Sequence, residues 1–161
     1  MPRPNPIRRI MELPLPSKTE QRALSFRPKK QDIIYAYNII NRHIFDNRLS
    51  RPKIVAGQVR SYWGFCQWEE EQQDSGSHCW IKISDKWYCP QWFLNTLAHE
   101  MVHQYQWDIH RFETDTIFSD KSGAHGPSFF EWRDRFEYYG LYLKTHHRMK
   151  KWFKYQDFRK C

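Results

Sequence analysis

The sequence has no apolar run long enough to cross a bilayer, and its N-terminus lacks the continuous apolar stretch of a secretion signal. A membrane protein and a secreted one are both set aside on that ground. It has no CxxC pair either. Cys66, Cys79, Cys89 and Cys161 fall at spacings that fit neither a disulfide scaffold nor the close ligand pairs of a structural zinc site. The expectation is free thiols in a reducing, intracellular, cytoplasmic setting, and a second metal site built from His78 with Cys66, Cys79 and Cys89 is rejected. No internal repeat is present, which excludes a repeat array.

What is there suffices for one domain. A chain of 161 residues buries roughly two thirds of its unfolded surface. Hydrophobic residues make up 40% and aromatics 17%, enough for a packed core without staples. Charge is segregated along the chain. Residues 1–60 carry 13 basic and 4 acidic side chains, residues 61–140 carry 6 and 13, and residues 141–161 carry 7 and 1. Two basic ends around an acidic middle, at a net +8, suggest a polyanionic partner, of which nucleic acid is the commonest.

Residues 1–30 hold six of the nine prolines among basic residues and read as a flexible basic arm. From Asp32, Ile33, Tyr37, Ile40 and Ile44 recur at helical spacing, and Asp46-Asn47 supplies a stop, predicting a helix over 32–46. Strands are predicted over 53–60, 62–68 and 79–84, the last two separated by a solvated acidic turn at Glu69-Glu70-Glu71. Pro90 opens a long apolar helix to about Trp107. Gly126-Pro127 opens another, ended near Tyr139 by Gly140, and a basic aromatic tail occupies 144–161.

The long helix contains His99-Glu100-Met101-Val102-His103. Histidines at i and i+4 lie one above the other on a helix face, so both imidazoles reach one ion. Glu100 is offset by one position, near the open coordination site, where it can take a proton from water. Two histidines and a glutamate on a mostly buried helix are costly unless they coordinate or pair. A tetrahedral catalytic zinc needs a third protein ligand. A histidine six residues on, after a helix-breaking glycine, would stand at 109; Gln106 and Ile109 exclude that pattern, and His110 is one position late. Glu113 and Glu131 are possible. His125 is the best placed, flanked by Gly123, Ala124 and Gly126, small residues that let the backbone approach an ion.

These residues resemble the SprT-like metalloprotease family, whose pattern is an HExxH helix followed some twenty residues on by His-Gly-Pro-x-Phe. The matching stretches are His99 to His103 and His125-Gly126-Pro127-Ser128-Phe129. Tyr37-Asn38 through Phe45-Asp46-Asn47-Arg48-Leu49 looks like the family's first helix and its exit, and Ile81-Lys82-Ile83-Ser84 like the strand before the metal helix. The resemblance implies an α+β zincin-like domain over 31–143, a small three-stranded sheet packed with helices. It implies one catalytic Zn2+ on His99, His103 and His125, with Glu100 as acid/base. It also implies a substrate class, proteins bound or crosslinked to DNA. Many relatives carry a C-terminal zinc ribbon with paired cysteines; here Cys161 is the only cysteine after Cys89. Contact with single-stranded DNA or single/double-strand junctions is therefore expected from Lys144, Arg148, Lys150, Lys151, Trp152, Lys154 and Tyr155, where cations track phosphates and rings stack on bases.

On this reading the protein is a monomeric endopeptidase, with no membrane partner, that would be nuclear or nucleoid-associated when DNA-bound. An extended substrate would add to a sheet edge at 62–68 or 79–84. An oxyanion donor is sought among Tyr105, His110, Tyr142, His146 and His147, and Asn95 is read as polar surface, with support of the metal ligands as the alternative. The competing readings are a zincin with unrelated protein substrates and a non-catalytic zinc-containing DNA-binding or scaffold protein.

Overall fold

A computed structural model describes residues 26–57, 63–88, 90–110 and 125–144. The expected arm lies almost wholly outside these residues, as do the connection at 58–62, most of the polar stretch before His125 and the tail beyond Lys144.

Helix α1 spans Lys30–His43 and buries Ile33, Ala36, Tyr37, Ile40 and Asn41. It starts two residues earlier than expected because the Lys29 N–H donates to the Asp32 carboxylate at 2.8 Å, satisfying a donor the helix end leaves open. It ends earlier too. Asp46 and Asn47 adopt positive φ of 54° and 58°, and the buried Asn41 side chain holds the exit, donating to the Leu49 carbonyl at 2.8 Å.

Strands β1 (Lys53–Ala56), β2 (Gly64–Trp68) and β3 (Cys79–Ile83) form one mixed sheet in the order β1-β3-β2. β1 runs parallel to β3 with Ile54 beside Ile81, and β2 runs antiparallel with Cys66 beside Ile81. β3 is central, and its Cys79, Ile81 and Ile83 are buried. Both its edges are paired, so the 79–84 strand offers no free edge to a substrate. β2 does, among the described residues.

Helix α2, Pro90–Asp108, packs across β2 and β3, with α1 against it and β1. Sixteen of its 19 residues are buried, so it has no solvent face. Gly64 permits the close approach of β2. A Cβ there would meet Ile83 Cδ1 at 2.8 Å, the Lys82 carbonyl at 3.1 Å and Thr96 Cγ2 of α2 at 3.3 Å. The single helix expected after Gly126 is two: α3 at Pro127–Phe130 and α4 at Arg133–Tyr138, with a turn between. The break lets Phe129 face the histidines while Trp132 packs on Phe45, at 4.6 Å between ring centroids. Gly140, at φ 80°, ends α4 as expected. No helix among the described residues is long and apolar enough to cross a membrane.

The layers are joined by one fully buried amide. Gln104 accepts from the Tyr37 hydroxyl at 2.8 Å and donates to the Ser50 carbonyl at 2.7 Å and to Asp108 Oδ2 at 3.1 Å. Burial pushes the Tyr37 phenol above its ordinary range, against a lowering by its bond to Gln104. The folded state therefore holds that proton more tightly than the unfolded chain, and this stabilisation is lost as pH rises. Tyr37→Phe is expected to lower the unfolding free energy at pH 7 by about 1–3 kcal/mol. The gap to the wild type should narrow above pH about 10, where the unfolded phenol ionises. Urea unfolding of both proteins at pH 7 and in the alkaline range measures it; a gap that widens with pH excludes the assignment.

Candidate metal centre

His99 and His103 stand one turn apart on α2, and His125 arrives just before Pro127 fixes the first turn of α3. Their Nε2 atoms converge. His103 Nε2 lies 3.1 Å from both His99 Nε2 and His125 Nε2, and the third separation is 3.4 Å. Phe129 closes the floor, its ring 4.8 Å from those of His99 and His125 and 5.1 Å from that of His103.

The outer nitrogens decide what the inner ones can do. His99 Nδ1 sits 2.8 Å from the Lys144 carbonyl, which can only accept, so Nδ1 carries the proton and Nε2 a lone pair. His103 Nδ1 is 2.8 Å from Gln106 Oε1, and the Gln106 amide in turn donates to Ser128 Oγ at 2.9 Å. Burial also lowers the His103 pKa to about 4, aided by the neighbouring His125, so its imidazole is neutral as a ligand must be. Three such nitrogens fit zinc. Nitrogens about 2.05 Å from one tetrahedral ion lie about 3.3 Å apart, close to the spacing found. Among the described residues this trio is the one group of histidine, cysteine and carboxylate side chains placed to hold a metal ion.

The alternatives go elsewhere. His110 Nε2 and Glu131 Oε1 lie 3.6 Å apart, outside the trio, and Glu113 is outside the described residues. His78 Nδ1 meets the Glu69 carbonyl at 3.0 Å and the Cys79 thiol faces Asp108 at 3.7 Å, so neither joins a second site. Of the expected oxyanion donors, Tyr105 is buried in a cluster with Phe45 and Trp132. His146 and His147 are outside the described residues, and Tyr142 remains, two residues from Lys144.

Glu100 is buried beside the trio and accepts from the Cys66 backbone N–H. Burial raises its carboxyl to about 8, against a lowering by that hydrogen bond; a cation at the trio would draw it down again. The bond also says which way β2 points. Ser84 N donates to the Trp63 carbonyl and Glu69 N to the His78 carbonyl, so the odd-numbered residues bond β3. The antiparallel ladder then turns the backbone of Gly64, Cys66 and Trp68 outward, and the free edge of β2 opens at Glu100.

Most of the support of His99 was not visible in the sequence, where Asn95 stood for it only as the second of two readings. Gln91 Nε2 donates to the Gly140 carbonyl at 3.0 Å, Asn95 Oδ1 accepts from the Tyr142 N–H at 3.0 Å, and His99 meets the Lys144 carbonyl. Three helix residues four apart thus bond three strap residues two apart, while Leu141 and Leu143 turn inward. Asn95, expected at the surface, is 3% exposed; a polar residue on an apolar helix gives no sign of a partner that arrives 47 residues later. Lys144, expected to touch nucleic acid, contributes its carbonyl to this strap, and its ammonium lies 5.9 Å from the Tyr142 ring centre. The other six expected nucleic-acid residues, Arg148 to Tyr155, are outside the described residues.

The match with known families agrees with this geometry. The SprT-like family matches residues 35–148, more than half of the chain. The chain belongs to the SprT-like family. SprT-like proteins are generally zinc metalloproteases, and a histidine trio that could hold a metal ion is present within the matched residues. A comparison with curated proteins gives no match.

If the strap orients His99, Asn95→Ala should weaken zinc about tenfold, as should Gln106→Ala through His103. Both should keep one ion per chain, whereas His125→Ala should lose most of the affinity. Competition against a chromophoric chelator measures all three. Unchanged affinity in Asn95→Ala would mean that the strap does not position the ligand.

Proposed function

We propose that this SprT-like chain is a zinc-dependent endopeptidase that cleaves DNA-associated or DNA-crosslinked proteins. The observation that carries the peptidase reading is the convergence of three imidazole nitrogens, two of them from a helix on which the residue after His99, the buried Glu100, bonds the backbone of β2. His99, His103 and His125 would hold the ion. Zinc in such a site supplies Lewis acidity, which lowers the pKa of a water and polarises a carbonyl.

The chain's own groups do the rest. Gly64 and Trp68 present outward backbone groups to an extended substrate, which adds as a further strand and is read by its main chain. Selectivity for side-chain sequence is then loose. The scissile carbonyl arrives beside Glu100 because Cys66, in the same strand, already bonds it. Glu100 takes a proton from the attacking water and delivers it to the leaving amine nitrogen. Its tether to Cys66 N–H fixes the carboxylate toward the substrate strand.

The DNA reading rests on charge and on kinship. Excess basic residues at both ends of the sequence favour a polyanion, and a loosely selective peptidase is restrained when enzyme and substrate share one DNA molecule. The protein acts as a monomer inside the cell, at the nucleus or nucleoid.

The test incubates purified full-length protein and a DNA-binding substrate protein, with and without single-stranded DNA, beside a chelator control. Cleavage should require DNA and metal. Glu100→Gln should keep one zinc per chain and lose at least about a hundredfold in rate. Cleavage indifferent to DNA would favour the zincin with unrelated substrates. Zinc binding without cleavage of any substrate would favour the scaffold reading, and full activity in Glu100→Gln would remove the assigned base.

A further inference from the structure

A second polar surface takes no part in the metal centre. Ile33, Ala36, Tyr37 and Ile40 turn one face of α1 to the core, so Gln31, Tyr35, Asn38 and Arg42 line the opposite, exposed face. Tyr35 is 62% exposed, although a tyrosine ring with no task gains by packing. On this side lies a groove of about 540 Å³, whose walls include Tyr35, Asn38, Arg42, His43 and Asn47, with Ile39 and Asn41 between them. That volume suits a nucleoside with its phosphate.

The chemistry of the walls selects the occupant. Among the described residues no carboxylate lines the groove. The nearest acid in sequence, Asp46, is held by Arg135 at 2.6 Å. Residues 26–53 contain seven Lys or Arg against two Asp, so the surroundings favour an anion. A guanidinium grips phosphate oxygens in a fork. Carboxamides both donate and accept, as base edges do. An exposed phenol ring offers a stacking face, which only an unpaired base can use.

We propose that this groove binds single-stranded nucleic acid, one unpaired base resting on Tyr35, its edge met by Asn38 or Asn47, its phosphate at Arg42. A ring stack elsewhere on the described surface is a poor alternative. Trp68 stacks with His78 and Trp107, at 5.4 and 6.1 Å, but it adjoins the exposed Glu69, Glu70 and Glu71, which repel phosphates. The inference deepens the proposed function by giving its polyanion a place on the folded domain. It rests on that reading for the purpose of binding, not for binding itself.

Fluorescence anisotropy of the full-length protein with a labelled mixed-sequence DNA 20-mer, single-stranded or duplex, tests it. Wild type should prefer the single strand. Tyr35→Ala should weaken single-strand binding about tenfold and duplex binding far less. Arg42→Ala should flatten the slope of log affinity against log salt by about 0.7, the share of one phosphate contact on a single strand. Both side chains are exposed, so circular dichroism and melting temperature should not change. The proposal is overturned if wild type binds neither DNA or prefers duplex. Unchanged affinity and slope in both variants, with binding lost only in a Lys150→Glu, Lys151→Glu variant of the tail, overturn it equally. Intact groove-dependent binding in a protein that cuts nothing would sink the peptidase reading and leave this one standing.

Discussion

Everything near the metal centre depends on one constraint: helix α2 is buried on all sides yet carries Gln91, Asn95, His99, Glu100, Gln104 and Gln106. A buried polar group without a partner costs on the order of 1–3 kcal/mol. Each of these side chains must therefore be met by another part of the protein, and the partners found are the rest of the architecture. Gln104 gathers Tyr37 of α1, the Ser50 carbonyl and Asp108. Glu100 holds β2 through Cys66 N–H. Gln106 reaches Ser128 of α3, while Gln91, Asn95 and His99 take up the chain after α4. These bonds tie the helix to α1, β2, α3 and the chain after α4.

The same burial sets the electrostatics. At His103 an imidazolium is disfavoured by burial and by the neighbouring His125, so its Nε2 lone pair faces the trio unprotonated. The pKa of Glu100 is pushed the other way, toward its neutral form. A site that keeps His103 neutral and Glu100 reluctant to ionise favours the arrival of a cation, to which a neutral imidazole can bind and which draws the carboxyl back toward its charged form.

Much of this was legible in the sequence, for identifiable reasons. The i, i+4 histidines carry their geometry in their spacing, and His125 is marked by small residues and a proline that together fix a loop and a helix start. The strand at 79–84 shows in strict alternation. What was not legible depends on partners distant in the chain. Asn95 looks like surface because polarity is local while burial is tertiary. The Lys144 carbonyl has no side-chain signature at all. The division of 127–139 into two helices was hidden too, since Phe129, Trp132 and Phe136 keep a helical period that the turn between them satisfies equally well.

The strap along α2 works as a vernier. Its rungs on the helix repeat every four residues, about 6.0 Å, while those on an extended chain repeat every two, about 6.6 Å. Two scales so close stay in step over the three rungs Gln91–Gly140, Asn95–Tyr142 and His99–Lys144. Carried on to a fourth, they would be out of step by about 2 Å, more than a hydrogen bond tolerates. His103 stands at that fourth mark. It takes its partner from Gln106, one turn along its own helix, and so the two ligands of α2 are held by unlike means: one by a chain laid alongside, the other by the helix itself.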